Sequence, residues 1–405
     1  MSTVTSETYL PSSAPLPGMR QFGMIAGVLG VVLGVAGYFM SGPEGTQRFF
    51  QAYLIAYTFW MGIVLGCLAL LMVQHLSGGV WGIVLRRPFE AAVRTIPYMA
   101  VLFIPILFGM HSLYEWSHAE AVANDPILQQ KALYLNVPFF LGRAVLYFAI
   151  WSLCSWLLNS WSAAQDRGEV AVHPSDTRRF RTVSAPGLLV YVITMTFASV
   201  DWIMSLDPHW YSTIFGLIFV VSQGLAALSL AIIVLALLSN VEPYATYVRP
   251  GLHFLDLGKL LLAFVMLWAY LSFSQLLIIW SGNLPEEITF YANRFRGGWQ
   301  YVSLLVLFGH FALPFVLLLS RDLKRRPRLL AQVAIWILVM RVVDLIWYVE
   351  PMFPHGRFPI HWMDVALPVG LAGIWLFLFV RNLRSRALLP LNDPFFKEAL
   401  AHDAH

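Results

Sequence analysis

The chain has 405 residues, 59% of them apolar and 12% charged, with a net charge of +4. Soluble domains carry roughly 25% charged residues. With a mean hydropathy of +0.68, this composition excludes an ordinary water-soluble fold. Its two cysteines, Cys67 and Cys154, both lie in apolar runs, too few for a disulfide framework, a Cys-ligated Fe–S cluster or a thiolate zinc site. No basic stripe lies outside short loops, which argues against a nucleic-acid partner.

The opening stretch, MSTVTSETYLPSSAPLPGMR, is polar and proline-rich without a cationic start. It reads as a flexible cytoplasmic tail (1–22) rather than a cleaved signal peptide. A bilayer core of about 30 Å needs about 20 apolar residues per helix. Ten segments meet that test: 23–40, 49–76, 90–112, 135–159, 184–206, 210–238, 255–281, 298–320, 328–349 and 361–382. Runs of this length lack the period-two alternation of a membrane barrel. The expected fold is therefore all-α and polytopic, one membrane domain over 23–382, followed by a second tail over 383–405.

Orientation follows from the lysines and arginines. One side collects nineteen of them, from Arg20 through Arg86, Arg87, Arg178 and Arg325 to Arg386 and Lys397. The other side has Arg48, Lys131, Arg294, Arg296 and Arg357. Both termini are thus expected in the cytoplasm. Small residues line the first span (Gly27, Gly30, Gly34, Gly37), the second (Gly62, Gly66) and the last (Gly370, Gly373), as close helix packing in lipid requires.

Five ionisable residues fall inside spans: Arg143, Asp201, His310, Arg341 and Asp344. A charge at the centre of a span costs about 2.5–3.5 kcal/mol, so the four formal charges left unpaired would cost on the order of 10 kcal/mol. Arg341 and Asp344 share a helix face and can pair directly. Arg143 and Asp201 have similar depths on successive spans, which suits an interhelical pair. Two readings stay open, static glue or a proton relay. With His75 and Lys259 nearer the cytoplasm, the relay candidates are Arg143, Asp201, His310, Arg341, Asp344, Lys259 and His75. Only His310 among the histidines is central, without a partner at its depth for bis-histidine haem, so the chain is expected to own no metal. The outer rim offers Tyr114, Trp116, Trp210 and Tyr211, an ordinary interfacial belt, or else the mouth of a quinone pocket. For the latter, His111, Glu115, Asp201 and His209 have suitable protonatable heads.

Several stretches resemble one family. They are FWMGIVLGCLALLMVQHLSGGVWGIVLRRPFEA (59–91), ILFGMHSLYEW (106–116), YLNVPFFLGRAVLYFAIW (134–151), TFASVDWIMSLDPHWYSTIFG (196–216), LGKLLLAFVMLWAYLSFSQLLIIWSGNLPEE (257–287) and MRVVDLIW (340–347). Together they look like the smaller NrfD-like membrane subunit of alternative complex III, a bacterial quinol:cytochrome c (or other acceptor) oxidoreductase. The likeness runs from about residue 20 to 385. It implies two four-helix bundles (49–206 and 210–349) flanked by one helix on each side, in the bacterial cytoplasmic membrane. It implies a larger NrfD-like sister subunit, an Fe–S protein of molybdopterin-enzyme type and multihaem cytochrome c subunits. Haem and Fe–S clusters would then belong to the partners, with quinone or menaquinone as the bound redox molecule and lipids around the chain. Two other readings remain: a secondary transporter, which would show broken helices in matching halves, and the anchor of a polysulfide- or nitrite-reductase-type enzyme.

Overall fold

The computed structural model describes residues 16–40, 42–168, 178–353, 361–390, 392, 393 and 396; Arg357 and Lys397, counted above for orientation, lie outside them. Every regular element among the described residues is helical. Among the described residues, nine helices are long and apolar enough to cross a membrane, and a bent pair counted as one span makes ten. In chain order they are α1 (Leu16–Met40), α2 (Gly42–Ser77), the pair α3 (Arg86–Val93) and α4 (Ile96–Phe108), α5 (Val137–Asp166) and α6 (Arg178–Trp202). They continue with α7 (Phe215–Leu238), α8 (Leu255–Gly282), α9 (Trp299–Leu319), α10 (Pro327–Val349) and α11 (Met363–Leu383). Helix α1 begins at Leu16, so the last residues of the expected N-terminal tail belong to the first span.

Helices α2, α3/α4, α5 and α6 pack in one ring and α7, α8, α9 and α10 in a second. The seam between them is α7 laid against α2 and α6. Helices α2 and α7 are buried along most of their length, as expected of helices apolar all round. The two remaining helices do not stand on opposite sides. Helix α1 runs along α11, and both lean on α2. Glycines make that pairing: a Cβ on Gly30 would sit 2.0 Å from the Gly370 Cα, and one on Gly373 would sit 2.1 Å from the Gly27 nitrogen. In the seam, a Cβ on Gly66 would sit 2.0 Å from the Gln223 carbonyl oxygen.

The third span is not the single rod the apolar run suggested. It bends by 43° between α3 and α4. The physical reason is Pro97, which cannot donate to the Val93 carbonyl and disfavours helical geometry at Ile96. The carbonyls exposed by the break are taken by side chains: Ser155 Oγ donates to Val93 O at 2.9 Å, and Asn382 Nδ2 donates to Ala91 O at 3.1 Å.

A second irregularity lies in α9, where residues Val306–Ala312 form a π-helical turn. Pro314 stands four residues past His310 and would leave its carbonyl without a donor and in steric conflict. The wider turn accommodates this, and the Trp336 indole N–H donates to Gly309 O at 2.7 Å. The apolar run of α9 hid this interruption from the sequence.

Part of the expected C-terminal tail is a buried strap. Leu388 and Leu389 are fully buried, the Tyr244 hydroxyl donates to Leu388 O at 3.1 Å, and Asn392 Nδ2 donates to Gln165 O at 3.0 Å.

Candidate functional site

The first ring carries a charge pair at each end. At one end, Arg143 from α5 grips Asp201 from α6 with two parallel hydrogen bonds, Nε to Oδ2 and Nη2 to Oδ1, both 2.9 Å. The Tyr147 hydroxyl adds a third at 2.8 Å, and the Arg143 guanidinium lies 3.8 Å from the centre of the Tyr134 ring. Asp201 is buried. Bidentate geometry with both carboxylate oxygens occupied is the strongest form of such a pair, and the interhelical pair expected from depth alone is present.

At the other end, Glu90 on α3 receives Arg86 (Nε to Oε1, 3.1 Å), Arg87 (Nη1 to Oε2, 2.6 Å) and the Ser162 hydroxyl (2.6 Å). Arg86 also reaches Asp393 of the strap, and Arg87 reaches Asp166 at the end of α5. Arg86, Arg87 and Glu90 are all buried. The sequence offered the first two as loop cations. The signal that could have found the cluster is local: Glu90 stands four and three residues beyond them, on one helix face.

One face of α5 joins these ends. Tyr147, Trp151, Ser155, Asn159 and Ser162 recur every three or four residues, and all five are buried. Trp151 Nε1 donates to Thr194 Oγ1 at 2.9 Å, and Asn159 Nδ2 donates to Ser155 O at 3.0 Å. Fifteen residues of helix rise separate Tyr147 from Ser162, about 22 Å. Beside this stripe, the Tyr191 hydroxyl donates to Gln223 Oε1 at 2.6 Å across the seam. His75 sits at the Glu90 end, stacked on Phe180 at 4.7 Å between ring centres. Its Nε2 has no hydrogen-bond partner among the described residues, and it lines a pocket of about 30 Å³ with Gln74, Arg86 and Asp393. That is room for a water or two.

The second ring holds the other pair. Arg341 and Asp344 form the expected contact within α10 and both are buried. Asp344 Oδ1 has no hydrogen-bond partner. His310, fully buried on the π turn of α9, stacks on Trp268 of α8 with ring centres 4.3 Å apart and planes 10° apart. Neither of its ring nitrogens has a hydrogen-bond partner among the described residues. Buried polar atoms are rarely left so, and a π turn in a span is often a functional feature.

Lys259 stands apart from both rings' interiors. It pairs with Asp256 at 2.8 Å on an exposed surface, a contact of small energetic weight. The four residues expected around a quinone head each have their own surroundings. Asp201 is occupied by Arg143 and Tyr147. His111 bonds Ser117 (3.1 Å) at the surface, Glu115 is exposed, and His209 pairs with Asp125 at 2.6 Å. Desolvation opposes the Asp125 carboxylate, but the Ile127 N–H and His209 outweigh it and hold that carboxyl below the usual range. The nearest cavity, about 240 Å³, is lined by Lys131, Tyr134, Leu135, Met204, Trp210 and Tyr211 among others. None of the four lines it. Burial pushes the Lys131 ammonium down from its usual pKa.

Two further arginine sites escaped the sequence. Arg48 at the start of α2 bridges Glu350 and Asp364, at the end of α10 and the start of α11. Arg294 donates to the carbonyls of Trp347 (2.9 Å), Tyr348 (2.7 Å) and Phe290 (2.7 Å). Partners hundreds of residues apart, or backbone acceptors, leave no trace in local spacing.

Among the described residues, no group of three His, Cys, Asp or Glu side chains is arranged to hold a metal ion. No protein-family model matches the chain, and no curated protein matches it.

Proposed function

We propose that this integral membrane protein is a subunit of a bacterial quinol:acceptor oxidoreductase of the alternative complex III kind, in which it serves as scaffold and proton path. The observation that carries the reading is the polar face of α5. It connects a buried arginine–aspartate pair at one end of a membrane-spanning ring with a buried arginine–glutamate cluster at the other. Chains of this kind mark proton routes in membranes. His310, Arg341 and Asp344 form a second set of groups in the neighbouring ring. The family resemblance of 59–91, 134–151 and 196–216 supplies the redox context.

Quinol oxidation in such a complex takes place where a partner's cluster approaches the quinol. His111, Glu115 and His209 are exposed and Asp201 is taken by Arg143 and Tyr147, so no step of that oxidation is assigned to them. The residues of this chain act on protons. Both carboxylate oxygens of Asp201 are engaged by Arg143 and Tyr147, so a relay through it needs that fork to open. The transporter alternative would be favoured by broken helices at matching places in the two rings. The bend at Arg94–Thr95 lies in the second span of the first ring, and π turns lie at the start of the second ring's second span (Pro250–Phe254) and within its third (Val306–Ala312), so only the second spans are interrupted in both rings, by a bend in one and a terminal π turn in the other.

The test is gentle detergent purification of the tagged chain from its native membrane, followed by subunit identification and assays for haem and quinone. Recovery with multihaem cytochromes, an Fe–S protein and a larger ten-helix sister is the expected result. A stable chain recovered alone and free of cofactor overturns it. In proteoliposomes of that complex, Asp201→Asn is expected to keep quinol oxidation while lowering proton release severalfold; unchanged release removes Asp201 from the path.

A further inference from the structure

We propose that the outer groove between α1 and α11 is a binding site for one anionic phospholipid. The groove has a volume of about 360 Å³ and is lined without a polar side chain by Gly23, Met24, Gly27, Val28, Ile374 and Phe377, with Val31, Val32 and Leu378. The two helices touch along it: a Cβ on Gly23 would sit 3.0 Å from the Gly373 carbonyl oxygen and one on Gly27 3.1 Å from the Ile374 nitrogen.

Its length fits an acyl chain. From Gly23 to Val32 the helix rises about 14 Å, about half of a bilayer core. The groove therefore serves one leaflet, from the level of a headgroup to the midplane.

Charge decides what kind of lipid. Arg20 on α1 stands three and four residues before Gly23 and Met24, on the groove face. Arg381 on α11 stands four residues after Phe377 and three after Leu378, and Arg384 continues the same face one turn on. All three are exposed. The Arg20 guanidinium already lies 5.0 Å from the centre of the Phe377 ring, which places it over the headgroup end of the groove. Arg381 Nη2 donates to the Tyr98 hydroxyl at 2.8 Å. None of the three makes an ion pair among the described residues. Arg94 and Arg386 crowd the same end of α11, near enough for Arg94 to feel both Arg381 and Arg386. An apolar trough capped at one end by unneutralised guanidinium groups is complementary to an acyl chain with a phosphate head. An apolar partner helix would fill the trough and leave the arginines unmatched.

The test uses the chain, or its complex, purified in detergent and incubated with equal amounts of dioleoyl phosphatidylglycerol and dioleoyl phosphatidylcholine. Native mass spectrometry then reads the lipid retained. Basic residues at a membrane surface contribute about 1 kcal/mol each, roughly fivefold in affinity. The wild type should retain the anionic lipid preferentially, and Arg20→Gln/Arg381→Gln should reduce that preference by up to about thirtyfold. The charge-preserving Arg20→Lys/Arg381→Lys should keep most of it. Val28→Trp, which fills the groove from an exposed position, should reduce retention of the anionic lipid with the arginines intact. Equal retention of the two lipids by the wild type overturns the proposal. So does a preference unchanged in the double Gln variant, or a polypeptide crosslinked along Val28 in native membranes with lipid excluded.

Discussion

Asp344 and His310 are neighbouring polar groups of the second ring with opposite expected sensitivities. Asp344 neutralises a buried Arg341. Removing one partner of a buried ion pair costs about 3–5 kcal/mol because it strands the other charge. Asp344→Asn should therefore lower the thermal unfolding midpoint in detergent, followed by tryptophan fluorescence, or reduce assembly. Normal stability with lost proton release would instead make the aspartate a relay and not a support. His310 has no hydrogen bond through its ring to lose, and its ring contributes a stack on Trp268. His310→Phe keeps that stack and removes two unsatisfied buried polar atoms, so the fold should be as stable as the wild type or slightly more so. Proton release should fall in the same variant if the imidazole carries protons. An unfolded His310→Phe protein would mean that the imidazole is structural, held through water.

At the scale of elements, the terminal helices are held by shape. Backbones meet at Gly30–Gly370 and Gly27–Gly373 because no Cβ intervenes, and close backbone approach is the main attraction available to helices in lipid. Gly30→Leu cannot be absorbed by a rotamer change, since the atom in the way is backbone. It should cost about 1–3 kcal/mol or more and free α1, seen as new protease sensitivity near the N-terminus while the two rings persist. The glycine pattern was legible in the sequence as packing, although which helices it would join was not. Likewise the apolar runs located the spans, but the bend in the third span depended on reading Pro97 against the Val93 carbonyl, and the π turn on reading Pro314 against His310.

At the scale of the molecule, the strap after α11 closes one end of the first ring. Arg86 joins Glu90 and Asp393, Asn392 reaches the end of α5, and the Tyr244 hydroxyl fastens Leu388 to the α7–α8 connection. Arg86→Ala should release the strap by removing its contact with Asp393. The expected sign is faster tryptic cleavage at Arg384 and Arg386 with a lower unfolding midpoint; an unchanged cleavage pattern would show that Leu388 and Leu389 hold the strap by themselves.

The amino-acid sequence by itself determined the solvent, the number of crossings and the charge asymmetry, because each follows from apolar run length and from counting lysines and arginines. It also determined that Arg341 and Asp344 share a face, because three residues of helix bring them together wherever the helix lies. Only the tertiary structure decided that Arg143 meets Asp201 as a closed fork, that α1 lies along α11, and that Arg48 bridges Glu350 and Asp364. It also decided that Asp201 is taken by Arg143 and Tyr147 and that His209 pairs with Asp125. Those outcomes depend on how helices far apart in the chain pack, and packing in lipid is set by the fit of whole surfaces, which no local spacing records.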